Sequence, residues 1–191
     1  MTKTQQHTSL LTVILLTAGI IGNTSLSYAK ELSPAECPVQ ISEQFIEDKS
    51  LQSCEKHTSS NNRSHYYITT WASKTQARFS SIFYQPLRGF RYWADRPEIQ
   101  KEDVKKWEIF EKIKLDDIVE IPCTNHTCFS FLVPENSAEC LWFDRDLERT
   151  GRLSGEGNEN GVLRGFLCRS SKDHLYTTDE AMKYLTSISA K

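Results

Sequence analysis

Six cysteines, at positions 37, 54, 123, 128, 140 and 168, constrain this chain more than any other feature. An even set, all of it downstream of an apolar N-terminal run, points to an oxidising compartment and a disulfide framework. Six cysteines allow fifteen pairings, and spacing alone does not choose among them. The sequential set Cys37–Cys54, Cys123–Cys128 and Cys140–Cys168 is the expectation. Chain-entropy reasoning assigns these links about 3, about 2 and about 3.5 kcal/mol. Together they rival the whole stability of an ordinary domain.

The longest link also implies a register. Cys140-Leu141-Trp142-Phe143-Asp144 and Val162-Leu163-Arg164-Gly165-Phe166-Leu167-Cys168 are two apolar runs separated by a charged, glycine-punctuated segment. Set antiparallel with Cys140 opposite Cys168, they bring Trp142 opposite Phe166 and Asp144 opposite Arg164, on the cysteine face. Leu141 then meets Leu167 on the other face. Aromatic and opposite-charge pairs each stabilise such a ladder by a few tenths to about 1 kcal/mol. One register satisfies every pairing, which predicts a disulfide-closed hairpin.

The N-terminus reads as an export signal. Lys3 is followed by the apolar run 10–22, and Ser27-Tyr28-Ala29 offers small residues where a signal peptidase reads them. The apolar run is too short to span roughly 30 Å of hydrocarbon comfortably. The expected organisation is a signal peptide over 1–29 and one exported domain over 30–191, secreted or periplasmic. The net charge of −2 gives no electrostatic case for nucleic acid.

Local patterning then fills in the chain. Ser33-Pro34-Ala35-Glu36 carries a helix-start signature, and residues 41–48 suggest a second helical stretch. Residues 55–64 are polar and read as a loop. Residues 65–71 and 79–84 are rich in β-branched and aromatic side chains and read as strands, with 90–93 returning after a turn at 86–89. A capping pattern at Asp95, Pro97 and Glu98, with Val104, Trp107, Phe110 and Ile113 at helical spacing, predicts a helix over 97–112. Residues 117–123 and 128–133 look like strands joined by a short loop. Pro122 cannot donate to a ladder, so the first of them should be an edge there or point that backbone position outward. Thr177 to Glu180 caps a final helix with Ala181, Leu185 and Ile188 inward. The sum is an α+β fold: one small disulfide-stabilised domain, an antiparallel sheet with helices packed on one face.

Chemical motifs are few. The sequence has no Gly-x-Ser-x-Gly elbow, no His-Glu-x-x-His and no phosphate-cradling glycine loop. Cys123, His126 and Cys128, with Cys140 downstream, are residue types that zinc accepts, but their spacing matches no standard module and the compartment favours oxidation. Asp144-x-Asp146-x-Glu148 resembles the opening of a calcium loop. It then fails at Arg149 and Gly155, where such a loop wants glycine and a bidentate glutamate. No cofactor is implied. The stretch between Asp144 and Gly161 is long for a hairpin connection, and such connections are usually functional or disordered. It supplies the candidate partner-binding loop: Asp144, Arg145, Asp146, Arg149, Arg152, Glu156 and Asn158. The resulting expectation is an exported, non-catalytic protein that binds a protein or a cell-envelope component. The alternative is a small secreted hydrolase using carboxylates of the same loop with a histidine such as His174.

Overall fold

Alternation with a period of two, rather than helical spacing, organises most of the residues that the structure describes. The structure is a computed structural model that describes residues 28–42, 51–59, 64–73, 77–87, 98–147, 160–170 and 174–190. In chain order its elements are β1 (Tyr28–Glu31), β2 (Val39–Ile41), β3 (Leu51–Thr58), β4 (His65–Ser73) and β5 (Arg78–Leu87). Then come α1 (Lys101–Val104), β6 (Val119–Cys123), β7 (His126–Val133), β8 (Ala138–Leu147), β9 (Asn160–Ser170), α2 (Thr178–Thr186) and β10 (Ile188–Ala190). Eight strands form one antiparallel sheet in the order β1-β3-β4-β5-β9-β8-β7-β6, and β2 pairs with β10 in a separate ribbon.

The described residues are therefore mostly β, which corrects the α+β expectation of helices layered on one face. The apolar stripe at Val104, Phe110 and Ile113 is real and buried. Three-residue spacing serves a 3₁₀ turn as well as an α-helix, and here it is divided among short pieces. α1 is one turn, followed by 3₁₀ turns at Glu108–Phe110 and Leu115–Asp117. Asp95 and Pro97 of the expected capping pattern lie outside the described residues; a capping bond is present further on, where the Gln100 N–H donates to the Asp103 carboxylate at 2.9 Å. Ser33 and Glu36 do bond as a capping pair would, at 3.0 Å from the Ser33 N–H, but they close a turn.

Two further expectations change. Ile41 belongs to β2 instead of opening a helix, and 43–50 lie outside the described residues. Glu55 to Thr58 are strand, not loop, because β4 supplies their partners: the His57 ring stacks on Tyr66 with centroids 4.8 Å apart. The strand expected over 90–93 also lies outside the described residues.

Alternation sorts the core into two faces. On one, Phe79, Cys168, Cys140 and Phe131, then Phe166, Trp142 and Phe129, are covered by Val104, Phe110, Ile113 and Ile118 from the segment between β5 and β6. Phe110 meets Phe131 and Phe166 edge-on, each with centroids 4.9 Å apart. On the other face lie Trp71, Ile82, Leu141, Phe143, Leu163 and Leu167. Val39, Ala181, Tyr184, Leu185 and Ile188 join them from β2, α2 and β10. Burying each large side chain of this kind contributes about 1.5–3 kcal/mol.

Polar bonds orient α2. Ser80 Oγ donates to the Phe166 carbonyl at 2.7 Å, so it accepts from the Tyr184 hydroxyl. Thr177 accepts from the Glu180 N–H while the Glu180 carboxylate accepts from the Thr177 N–H at 3.0 Å, the capping box that the sequence announces. Ile188 is inward as expected, but it belongs to β10 and not to the helix.

All three expected disulfides are present: Cys37–Cys54, Cys123–Cys128 and Cys140–Cys168. The first ties the N-terminal arm to β3. The second closes the β6–β7 hairpin, whose turn places Asn125 at φ 58°, a left-handed conformation that asparagine tolerates. The third joins directly opposed residues of β8 and β9.

Candidate binding surface

The β8–β9 hairpin carries the candidate residues, and its rungs follow the register read from the cysteines. Cys140 faces Cys168, Leu141 faces Leu167, Trp142 faces Phe166 and Asp144 faces Arg164. Gly165 is required where it stands: a Cβ there would lie 2.6 Å from the Ser81 carbonyl oxygen and 3.0 Å from the Phe143 ring. The hairpin is thus a close-packed rail at the centre of the sheet, with β5 on one side and β7 on the other.

Each predicted loop residue has a definite place where the structure describes it. Asp144 is buried, and the Arg164 Nε–H donates to it at 2.6 Å. Arg164 also stands 5.5 Å from the centroid of the Trp142 ring. Its charge reaches Asp103: burial raises that carboxyl's pKa, yet bonds from Lys106 and the Gln100 N–H, together with Arg164, bring it below the ordinary value. Asp144 therefore anchors the hairpin internally. Arg145 projects to the opposite face, where its Nε is buried and without a partner. Asp146 is in β8, while Arg149, Arg152, Glu156 and Asn158 lie outside the described residues. His174, named for the hydrolase alternative, is exposed ahead of α2.

Beside Arg145 stands His126, the first residue of β7 and the next position along the register that pairs Thr127 with Asp144. Its Nδ1 lies 2.7 Å from the Thr124 carbonyl oxygen, which can only accept. The proton therefore sits on Nδ1, leaving Nε2 as a bare, buried acceptor without a partner. Burial chiefly, with the Arg145 charge in support, lowers the His126 pKa below its ordinary value. The zinc reading of this region lacks its ligands, because Cys123, Cys128 and Cys140 are all consumed in disulfides.

A second polar cluster, which sequence reasoning missed, closes the other end of the hairpin. The fully buried Glu139 accepts from Arg169 Nε at 2.7 Å. The same guanidinium donates to both Glu180 oxygens, at 2.6 and 3.2 Å, and lies 4.2 Å from the centroid of the Tyr176 ring. Bonding to Arg169 is the main reason that the Glu180 carboxyl falls to about 2. A signal for this cluster was available, since the register pairing Cys140 with Cys168 also sets Glu139 opposite Arg169.

Among the described residues, no helix is long and apolar enough to cross a membrane, and no group of His, Cys, Asp and Glu is placed to hold a metal ion. No protein-family model matches the chain, and no curated protein or solved structure is significantly similar to it.

Proposed function

We propose that this is an exported, disulfide-stabilised binding protein that engages a protein or cell-envelope component through the connection between β8 and β9. The observation that carries the proposal is the construction of that hairpin. It runs through the middle of the sheet, is cross-linked between directly opposed cysteines, and has its last charged rung closed by the Asp144–Arg164 pair. Such a rail fixes the two strand ends from which the connection departs, Leu147 and Asn160, and binding residues commonly sit on loops that rigid scaffolds carry. Export is supported by the apolar N-terminal run and by the three disulfides, which persist in oxidising compartments.

The test is affinity capture by the oxidised protein from its native envelope or culture fluid, beside a variant in which 148–159 are replaced by a short Asn-Gly turn. Ending the replacement at Leu147 and Asn160 preserves β8 and β9 as they pair. One dominant partner retained by the parent and lost by the folded variant is the expected result. Equal capture by both would place binding elsewhere on the molecule. N-terminal sequencing of the exported chain tests the other half of the reading, with Lys30 as the expected first residue.

A further inference from the structure

Among the described residues, the outermost strand at the opposite side of the sheet from β6 is electrostatically mismatched to its neighbour. β1 pairs with β3 so that Lys30 lies opposite Lys56 and Glu31 lies opposite Glu55. Like charges set directly opposite in an antiparallel ladder weaken it. The charged groups of β3 turn to other neighbours: Glu55 pairs with His57 Nε2 at 3.1 Å, and the Lys56 ammonium stands 5.9 Å from the centroid of the Tyr67 ring. The remaining rungs are Tyr28 with Thr58 and Ala29 with His57. Cleavage after Ala29 would remove those two rungs and leave the two like-charged ones. That last step rests on the export reading; the mismatch does not.

The sheet's other outer strand is protected. β6 carries Pro122, which cannot donate to an added strand, and is clamped to β7 by Cys123–Cys128. β3 runs from Leu51 to Thr58 without proline; β1 pairs with Glu55 to Thr58, and the Leu32 N–H that follows it donates to the Cys54 carbonyl at 2.8 Å, next to the Cys37–Cys54 tether.

We propose that β1 is a displaceable cover strand, and that the outer edge of β3 is a docking edge for an extended segment of a partner protein with an acidic residue followed by a basic one. An antiparallel strand runs against β3, so its residue opposite Lys56 precedes its residue opposite Glu55. Acid-then-base is the order that sets opposite charges on both rungs, and Lys30-Glu31 is that order reversed. Main-chain hydrogen bonds along the edge would supply affinity, and the two charged rungs would supply selectivity. A second copy of β3 does not meet the requirement. Two identical antiparallel strands related by a two-fold axis keep like faces together, so Glu55 would meet an odd-numbered residue and never Lys56.

The experiment uses the full oxidised chain and two synthetic peptides of about eight residues, the length of an ordinary strand. Both have threonine and valine flanks; one has Glu-Lys at its centre and the other Lys-Glu. Calorimetric titration should show the Glu-Lys peptide binding about fivefold or more tightly, the effect of reversing two charged rungs. In a variant carrying Lys30→Glu and Glu31→Lys, β1 becomes a matched competitor, and affinity for the Glu-Lys peptide should fall by a similar factor. Disulfide mapping and circular dichroism check that the variant is folded. Equal binding of the two peptides, failure of the Glu-Lys peptide to bind, or indifference to the β1 exchange would each overturn the proposal. A mature N-terminus other than Lys30 would instead count against export alone, because these titrations do not depend on processing.

Discussion

The β8–β9 hairpin and the β1–β3 pair are both antiparallel ladders, yet they are opposites in how their side chains agree. Along the hairpin the opposed residues are Cys with Cys, Trp with Phe, Asp with Arg and Glu with Arg. Along the outer pair, Lys opposes Lys and Glu opposes Glu. The first ladder is reinforced at every level from backbone to covalent bond, and the second is held by backbone pairing against its own charges. Strand assignment alone hides this difference. A sheet can have a fixed centre and a yielding margin, and matched rungs are how sequence marks the centre.

Breaking the centre should have the largest effect. Reducing all three disulfides should unfold the chain or loosen it badly, as loss of near-ultraviolet dichroism. Replacing Cys140 and Cys168 together with serine should by itself cost about 2–5 kcal/mol in urea denaturation. The next effect belongs to the charged rung. Asp144→Ala strands a guanidinium that is one quarter exposed, so solvent softens the penalty to about 1–2 kcal/mol. A double-mutant cycle with Arg164→Ala should recover part of it as coupling between the two positions.

Acid should find a smaller weakness beside the hairpin. The folded-state pKa of His126 lies below its ordinary value. As pH falls through about 6.5, the unfolded chain therefore takes up a proton that the folded chain refuses. Stability is then lost progressively on acidification and is unaffected by this group above neutrality. A His126→Asn variant should flatten that part of the stability profile; an unchanged slope would assign it to another residue. The smallest effect, and the only gain, is expected at the margin. Exchanging Lys30 and Glu31 should stabilise β1, contributing about 0.5–1 kcal/mol and slowing amide exchange in residues 30 and 31. No gain would mean that the like charges already avoid one another in solvent.

How much of this was legible in the sequence follows the same division. The hairpin register and the Thr177 cap could be read, because each rests on residues that specify one geometry; the sequential disulfides are present as expected, although spacing alone did not choose them. β3 could not be read. Its sequence, LQSCEKHT, has no apolar alternation, and it becomes a strand through partners on β4 such as Tyr66. The segment from Gln100 to Ile118 was misread for a different reason. Val104, Phe110 and Ile113 are buried as the spacing suggests, while Trp107 is only partly buried and the buried Ile118 fell outside the stripe; three-residue spacing left open whether one helix or several short turns would carry them. Of the candidate site, Asp144 was legible as a paired residue. Its burial was not, because that depends on the packing of Trp142 and Arg164 around it.

The place of β9 has a consequence for how the protein comes into being. It is the last strand of the large sheet in sequence but sits between β5 and β8, near the sheet's middle. A chain delivered N-terminus first forms β3, β4 and β5 while the inner margin of β5 has nothing to pair with. The second meander, β6 to β8, is likewise incomplete until β9 arrives. The two halves then join in one late event, and the Cys140–Cys168 bond can lock only after it. Such long-range closure is slow and leaves strand margins exposed meanwhile. In such an order of events the sheet would pass through an interval as two open ribbons, and a helper that shields them would act there.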